Sequence, residues 1–549
     1  MKRIFFTLLV LLCFVTKSPA PSFSGGVSGG SDGVTTNSIS NVPKSVIKGW
    51  WMADSFIGQG QTSITNWPDI TGNGWNLYCY QSNFVNAAKY DSIGFGGHPS
   101  VLLNSSMLCV SNILTTNFNT GYTIFFAYQT YDTASSGTLF SLNEWGVNGT
   151  AYFHPWYFNT PAAYDAQVYY GVSALQTSGN GFNQGFVYGG YAPIQFPTVG
   201  AIRWDGTNLT YWLNGCLSYA SPSAGSTPSW PGYTNGTLYV GNISIAVWPC
   251  NDKLSELILC STNLTDDQVR SANVYLNNKY GTWPDIIDVG DSLIVANAGL
   301  GGSGPAQLMN EFPGLKVQTV AVFGRTSAQQ LLDEAVSAGG WVSGIKGANK
   351  RITVLDSIGI NDAAGYASTN FVPSLMANIT NFFFTLSTNG LSGVFQTLIS
   401  GYPETNGIGA GANQSSGSWR TNVNQWARNN WTNWAGCVAL SDAGGDANIG
   451  TMGAFSNLTY WPTAGNGLHP TNAGIYIREH YYNAPTIRSV IGGGNSSANT
   501  YLGTFIGNGG GLTNLNLGTL SGTTPALISS FSNSLWFTNN SRVYRVPVF

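Results

Sequence analysis

Two textures of hydrophobic patterning divide the chain. From about Val46 to Tyr280, apolar residues come in short runs broken by Gly, Asn or Pro, such as Tyr122 to Tyr128, Leu209 to Leu213 and Leu238 to Gly241. Many short runs bounded by turn residues predict the strands of an antiparallel sandwich. From Trp283 onward, strand-like runs at 285–289, 316–322, 351–358, 394–400 and 437–441 alternate with helix-compatible stretches, Ser327 to Ala338, Val372 to Leu386 and Val423 to Trp434. That alternation predicts a parallel sheet covered by helices on both faces, with ligands at the carboxyl ends of its strands. Between the two textures, Thr265 to Gly281 reads as a helix opened by a capping box and closed by a glycine.

At 549 residues the chain is too long for one ordinary domain. The patterning divides it into a signal peptide over 1–20, a Gly-, Ser- and Pro-rich leader over 21–44, a β-sandwich over 45–282, an α/β domain over 283–486, and a Gly-rich linker with a small β-rich tail over 487–549. The signal peptide rests on Lys2 and Arg3 ahead of the apolar run Ile4 to Val15, with small residues up to Ala20. About a dozen apolar residues cannot span a bilayer, so the segment predicts export to the periplasm, the cell surface or the medium. No later run reaches membrane-spanning length.

Only 8% of residues are charged, so the polar surface must come from Asn, Ser, Thr and Gly. Cleavage after Ala20 would remove Lys2, Arg3 and Lys17 and leave an acidic balance without a basic run, which excludes nucleic acid as the expected partner. Beyond the leader, Cys79, Cys109, Cys216, Cys250 and Cys260 fall in the first half and Cys437 in the second. Their spacings match no zinc motif, and an exported location allows one or two disulfides among them.

The candidate chemistry lies at the ends of the apolar runs in the second half. Asp285 to Val289 stops at Gly290-Asp291-Ser292-Leu293; Val320 to Phe323 stops at Gly324; Ile352 to Ile358 runs into Gly359-Ile360-Asn361-Asp362; and Leu468-His469-Pro470 follows the last run. Serine is a poor nucleophile until a base takes its proton, and a nearby helix over Pro305 to Glu311 would favour developing negative charge. Each motif alone is an ordinary turn. In this order they resemble the SGNH, or GDSL-type, hydrolases over residues 284–486.

That resemblance implies a three-layer α/β/α fold around a flavodoxin-like parallel sheet. It further implies Ser292 as nucleophile, His469 as its base, and an oxyanion hole from the N–H groups of Ser292 and Gly324 with the Asn361 amide. Neither a metal nor another cofactor is expected. The sequence departs from the family at Asn466, three residues before His469, where the family usually carries an aspartate that orients the imidazole. Asn466 could orient it through its carbonyl; Asp442, Asp446 or Glu479 could take the acid's place; or the domain could be a weakened hydrolase.

In the first half, Trp67-Pro68-Asp69 with Gly72-Asn73-Gly74, Gly97-His98-Pro99 and the closing helix through Gly281 resemble LamG-like, concanavalin-type jelly rolls. The pairing implies an acyl ester on a carbohydrate as substrate, acetyl first among the candidates. Gly511-Leu512-Thr513-Asn514-Leu515 is similar to a repeat of phage tail fibres and bacterial surface proteins. With Asn466 it keeps open a carbohydrate-binding adhesin whose hydrolase domain is degenerate.

Overall fold

The strand Tyr122–Gln129 is apolar at nearly every position because both of its faces are buried. Ile124, Phe126 and Tyr128 enter a core shared with Trp51, Trp67, Leu77, Phe140 and Leu238, while Phe125 and Ala127 pack under a helix. The computed structural model that shows this describes most of residues 39–142, 197–294, 304–399 and 418–461, all of 469–492, and strand backbones within 151–174 and 526–547. The expected signal peptide, most of the leader, Asn466 and the Gly511–Leu515 motif lie outside the described residues.

Two antiparallel sheets, of nine and seven strands, face each other across that first core. At the middle of the larger sheet, Tyr122–Gln129 lies between Thr198–Trp204 and Lys253–Cys260. Its outer face is covered by α1, Asp266–Tyr280, through Val269, Ala272, Leu276 and Tyr280. The capping box is present: Thr265 accepts from the Gln268 N–H, and the Gln268 side chain accepts from the Thr265 N–H. Gly281 closes the helix in the left-handed conformation, at φ 59°.

The second half forms one sheet of five strands, β1 (Ile286–Gly290), β2 (Val317–Ala321), β3 (Thr353–Ser357), β4 (Ser392–Gln396) and β5 (Cys437–Ser441). All neighbours run parallel, in the order β2-β1-β3-β4-β5. Alternate residues serve opposite faces. Ile287, Val354 and Phe395 pack with Phe382 and Leu386 of α4, Val372–Thr388. Ile286, Leu355 and Val394 pack with Leu308 of α2, Gly304–Glu311, and Ile487 of α7, Ala484–Gly492. Further helices are α3 (Ser327–Gln330), α5 (Ser418–Asn430) and α6 (Asn472–Tyr476), with a single helical turn at Trp341–Gly344. The helix expected over Ser327 to Ala338 is α3 continued by a π-helical turn over Leu331–Val336. The one expected over Val423 to Trp434 starts earlier, at Ser418, and closes in a 3-10 turn.

The two halves share buried side chains. Cys216, from the larger antiparallel sheet, sits in the hydrophobic core of the parallel sheet with Trp283. The Asn214 amide donates to Gln318 on β2 at 3.2 Å, with both side chains buried. Gly215, at φ 81°, leaves room for the Trp283 ring, which would lie 2.6 Å from an added Cβ. The sequence, read as two modules in series, does not disclose this seam.

The expectation of one or two disulfides is corrected. No disulfide joins the six cysteines beyond the leader, and burial pushes the Cys437 thiol up to about 12 and those of Cys216 and Cys250 higher still. Cys216, Cys250 and Cys260 are spent as small apolar core residues. Among the described residues, no helix is long and apolar enough to cross a membrane. The tail contributes a three-stranded antiparallel sheet, Ala526–Phe531, Ser534–Asn539 and Arg542–Pro547.

Candidate active site

The strand order reverses beside β1, and at such a switch point the carboxyl-end loops part to leave a crevice. A small cleft there is lined by Asp291 and Leu293 after β1, Ser357 and Ile360 at the end of β3, and Gln396, Leu398 and Ile399 at the end of β4. Three of the residues singled out from the sequence stand at this edge. Ser292 follows β1, Gly324 follows β2 and Asn361 follows β3, on neighbouring strands.

The Ser292 turn is built by Asp291, whose carboxylate accepts the Leu293 N–H at 2.9 Å while its carbonyl accepts the Ile294 N–H at 3.1 Å. Ser292 is buried, with 5% of its surface exposed. Burial pushes the Asp291 carboxyl up to about 7, against the pull of the Leu293 N–H and of Arg478. Gly324 is exposed, at φ 72°, with open space where a side chain would stand.

Asn361 donates its Nδ2 to the Arg325 carbonyl at 3.1 Å, which fixes the third loop against the second. Asp362 reinforces the contact by accepting the Ser327 N–H at 2.8 Å and its hydroxyl at 2.5 Å. The Arg325 side chain is held in turn by an ion pair with Glu334.

His469 arrives from the other end of the segment. Thr471, which caps α6, donates its N–H to the Tyr460 carbonyl at 2.8 Å and its hydroxyl to the Thr459 carbonyl at 2.6 Å, anchoring the His469-Pro470 turn. Burial lowers the His469 pKa below its usual 6.5, which favours the neutral imidazole. Its Nε2 is enclosed and makes no hydrogen bond, so no Nε2 link to Ser292 is formed in this structure.

The carboxylates considered as substitutes for the missing aspartate are engaged elsewhere. Asp442 binds the Arg428 guanidinium at 2.8 to 3.1 Å. Asp446 accepts the Asn448 and Ile449 N–H groups and the Tyr482 hydroxyl. Glu479 is buried against Arg478 and Asn483.

Residues that the sequence reading passed over join the two ends of the site. Past α6 the chain makes a π-helical turn, Ile477–Asn483, and from it Arg478 donates Nη1 to the Leu293 carbonyl at 2.6 Å. The signal was present: Arg478-Glu479 is a charged pair in a helical run of a chain with only 8% charged residues. Among the described residues, no cluster of His, Cys, Asp and Glu has the arrangement to hold a metal ion.

No family model matches the chain, and no curated protein matches it. Solved structures give slight likenesses. Domain 4 of AbnA, a GH43 extracellular arabinanase from Geobacillus stearothermophilus, matches 41% of this chain and 96% of its own at 15% identity, with a TM-score of 0.30. A mutant of Trypanosoma rangeli sialidase matches 44% of this chain and 34% of its own at 10% identity and a TM-score of 0.29, so the chain spans about a third of that protein. The binding domain of a botulinum neurotoxin of serotype D/C matches 46% of this chain and 55% of its own at 13% identity and a TM-score of 0.30. Likenesses this slight assign neither a fold family nor an activity to the chain.

Proposed function

We propose that the chain is an exported serine esterase of the SGNH, or GDSL, type. The observation that carries this reading is the convergence of Ser292, Gly324 and Asn361 at the carboxyl ends of β1, β2 and β3 in an all-parallel β2-β1-β3-β4-β5 sheet. Ser292 attacks an ester carbonyl, and His469 takes the hydroxyl proton through Nε2 once substrate binding brings the two within reach. The N–H groups of Ser292 and Gly324 and the second Asn361 amide hydrogen hold the oxyanion. Collapse of the tetrahedral adduct breaks the ester C–O bond, and the alcohol leaves with the proton returned by His469. Water, with His469 as base again, then hydrolyses the acyl-serine to the carboxylic acid and frees Ser292. The lectin-like resemblance of the first half points to an acyl ester on a carbohydrate.

Hydrolysis of p-nitrophenyl acetate by the wild type and by Ser292→Ala tests the reading. The wild type is expected to exceed the variant by about a thousandfold or more; equal rates would end the esterase account. A second reading, a carbohydrate-binding protein with a weakened hydrolase domain, is favoured by one observation: Asp442, Asp446 and Glu479, which could have taken the missing acid's place, are each bound to other partners. Retention of the full-length Ser292→Ala protein on insoluble polysaccharide, together with a wild type no faster than that variant, would select it. The full chain is the proper reagent, because Cys216 of the first half is part of the core of the second.

Asn466→Asp separates a working catalyst from a relic. An aspartate there would orient His469 and stabilise the imidazolium, so aryl-ester turnover is expected to rise by about tenfold or more. An unchanged or lower rate would mean that His469 is not oriented from position 466.

A further inference from the structure

A line of buried polar contacts crosses the α/β domain from β5 to the Ser292 turn, and nothing in the proposed chemistry uses it. The Ser441 hydroxyl on β5 donates to the Asn483 carbonyl at 2.6 Å. The Asn483 amide donates to Gln396 on β4 and to Glu479, both at 2.8 Å. Glu479 accepts from Arg478 Nε at 2.5 Å, and Arg478 Nη1 ends the line on the Leu293 carbonyl at 2.6 Å. Arg478, Glu479 and Asn483 are each 1% exposed.

A guanidinium withdrawn so completely from water is costly, and hydrophobic residues would fill the same volume at less expense. The position of this one is informative. It sits on the helical run that begins just after His469, and its Nη1 donates to the carbonyl of Leu293, next to Ser292. Its second nitrogen, Nη2, packs against Gly304 at the start of α2, where an added Cβ would lie 2.2 Å away. One planar group thereby fixes three things together: the nucleophile's turn, the helix that follows that turn and the helix that follows the histidine. A flexible lysine offers a point charge in place of that rigid fork.

We propose that Arg478 is a positioning residue for the hydrolytic reaction: through the Leu293 carbonyl it sets the Ser292 hydroxyl in register with the segment carrying His469, and Glu479 and Asn483 hold it in place. This rests on the reading of Ser292 as nucleophile. Arg478 touches no reacting atom. It limits how far Ser292 and His469 drift apart, and a displacement of about 1 Å between reacting groups costs on the order of a hundredfold in rate.

The test uses the full chain with Arg478→Lys and Glu479→Gln, each assayed on p-nitrophenyl acetate and normalised to the sites titrated by a fluorophosphonate. Arg478→Lys is expected to lower kcat per titrated site by about 10- to 100-fold with KM within about twofold, and Glu479→Gln to act in the same direction by less. A residue that merely supports the fold would reduce the number of titratable sites and the melting temperature, yet leave kcat per site unchanged. Unchanged kcat per site in a folded variant overturns the proposal. If Arg478→Lys fails to fold, Glu479→Gln decides on the same terms. Wild type and Ser292→Ala run beside them: equal rates in that arm would bring down the esterase reading and this role with it, independently of what the Arg478 variants do.

Discussion

His469→Ala is expected to lower p-nitrophenyl acetate turnover by roughly a hundred- to ten-thousandfold, the range a positioned general base contributes. The loss should have a pH signature. His469 works in its neutral form, and burial lowers its pKa below the usual 6.5. In the wild type kcat/KM should therefore hold level down to about pH 6.5 and fall only at lower pH, as the imidazole takes up a proton. In His469→Ala that acid limb should vanish with the activity. Rates measured from pH 4.5 to 8.5 check both parts; a wild-type limb centred above 6.5 would contradict the burial argument. The same burial acts on stability. The folded state resists protonating His469 more than the unfolded chain does, so its contribution is complete above about pH 6.5 and is lost as pH falls through the lowered pKa.

The second large effect concerns the backbone under the nucleophile. At Gly290 an added Cβ would lie 2.4 Å from the Ser357 carbonyl oxygen on β3 and 2.5 Å from Ile294 Cδ1. The Ser357 carbonyl belongs to the strand paired with β1 and cannot move aside without breaking the ladder. Gly290→Ala should therefore cost about 2 to 4 kcal/mol, as overpacking against fixed backbone does, and displace Ser292 in whatever fraction still folds. Gly324→Ala is the contrasting control. Nothing lies within 4 Å of its added Cβ, and only the left-handed φ of 72° opposes it, at about 1 to 2 kcal/mol. Urea unfolding of both variants gives the comparison, and a Gly290→Ala protein as stable as Gly324→Ala would refute the packing argument.

Much of the architecture was legible because the chain signals it locally. Four of the five parallel strands are buried at nearly every position, so each reads as a mainly apolar run. The runs expected at 285–289, 316–322, 351–358 and 437–441 lie within two residues of their strands, while that expected at 394–400 starts two residues late and ends four residues beyond Ser392–Gln396. The capping box at Thr265 and the glycine at 281 fixed α1 for the same reason: the groups that satisfy a helix end sit within four residues of it. What escaped depends on distance along the chain. The contact between Arg478 and Leu293 spans 185 residues, and that between Asn214 and Gln318 spans 104. No periodicity records such pairings. Cysteines misled because export permits disulfides without requiring them, while burial as apolar filler leaves no mark on spacing.

The site was legible in its parts and not in its assembly. Glycines at strand ends and the Gly-x-Asn-Asp turn marked the loops that carry Ser292, Gly324 and Asn361, because a chain leaving a buried strand must turn at once. The sequence offered Asp442, Asp446 and Glu479 as equals for the missing acid, and only the geometry showed each one engaged elsewhere.

Covalent labelling tests the central claim most directly. The wild-type protein is treated with a fluorophosphonate, digested and mapped by mass spectrometry, with residual p-nitrophenyl acetate hydrolysis measured on the same sample. A single adduct on the peptide bearing Ser292, activity lost in proportion to labelling, and no adduct on Ser292→Ala are the predicted results. Hydrolysis that survives full labelling of Ser292, or an adduct on another serine that abolishes it, would contradict the account.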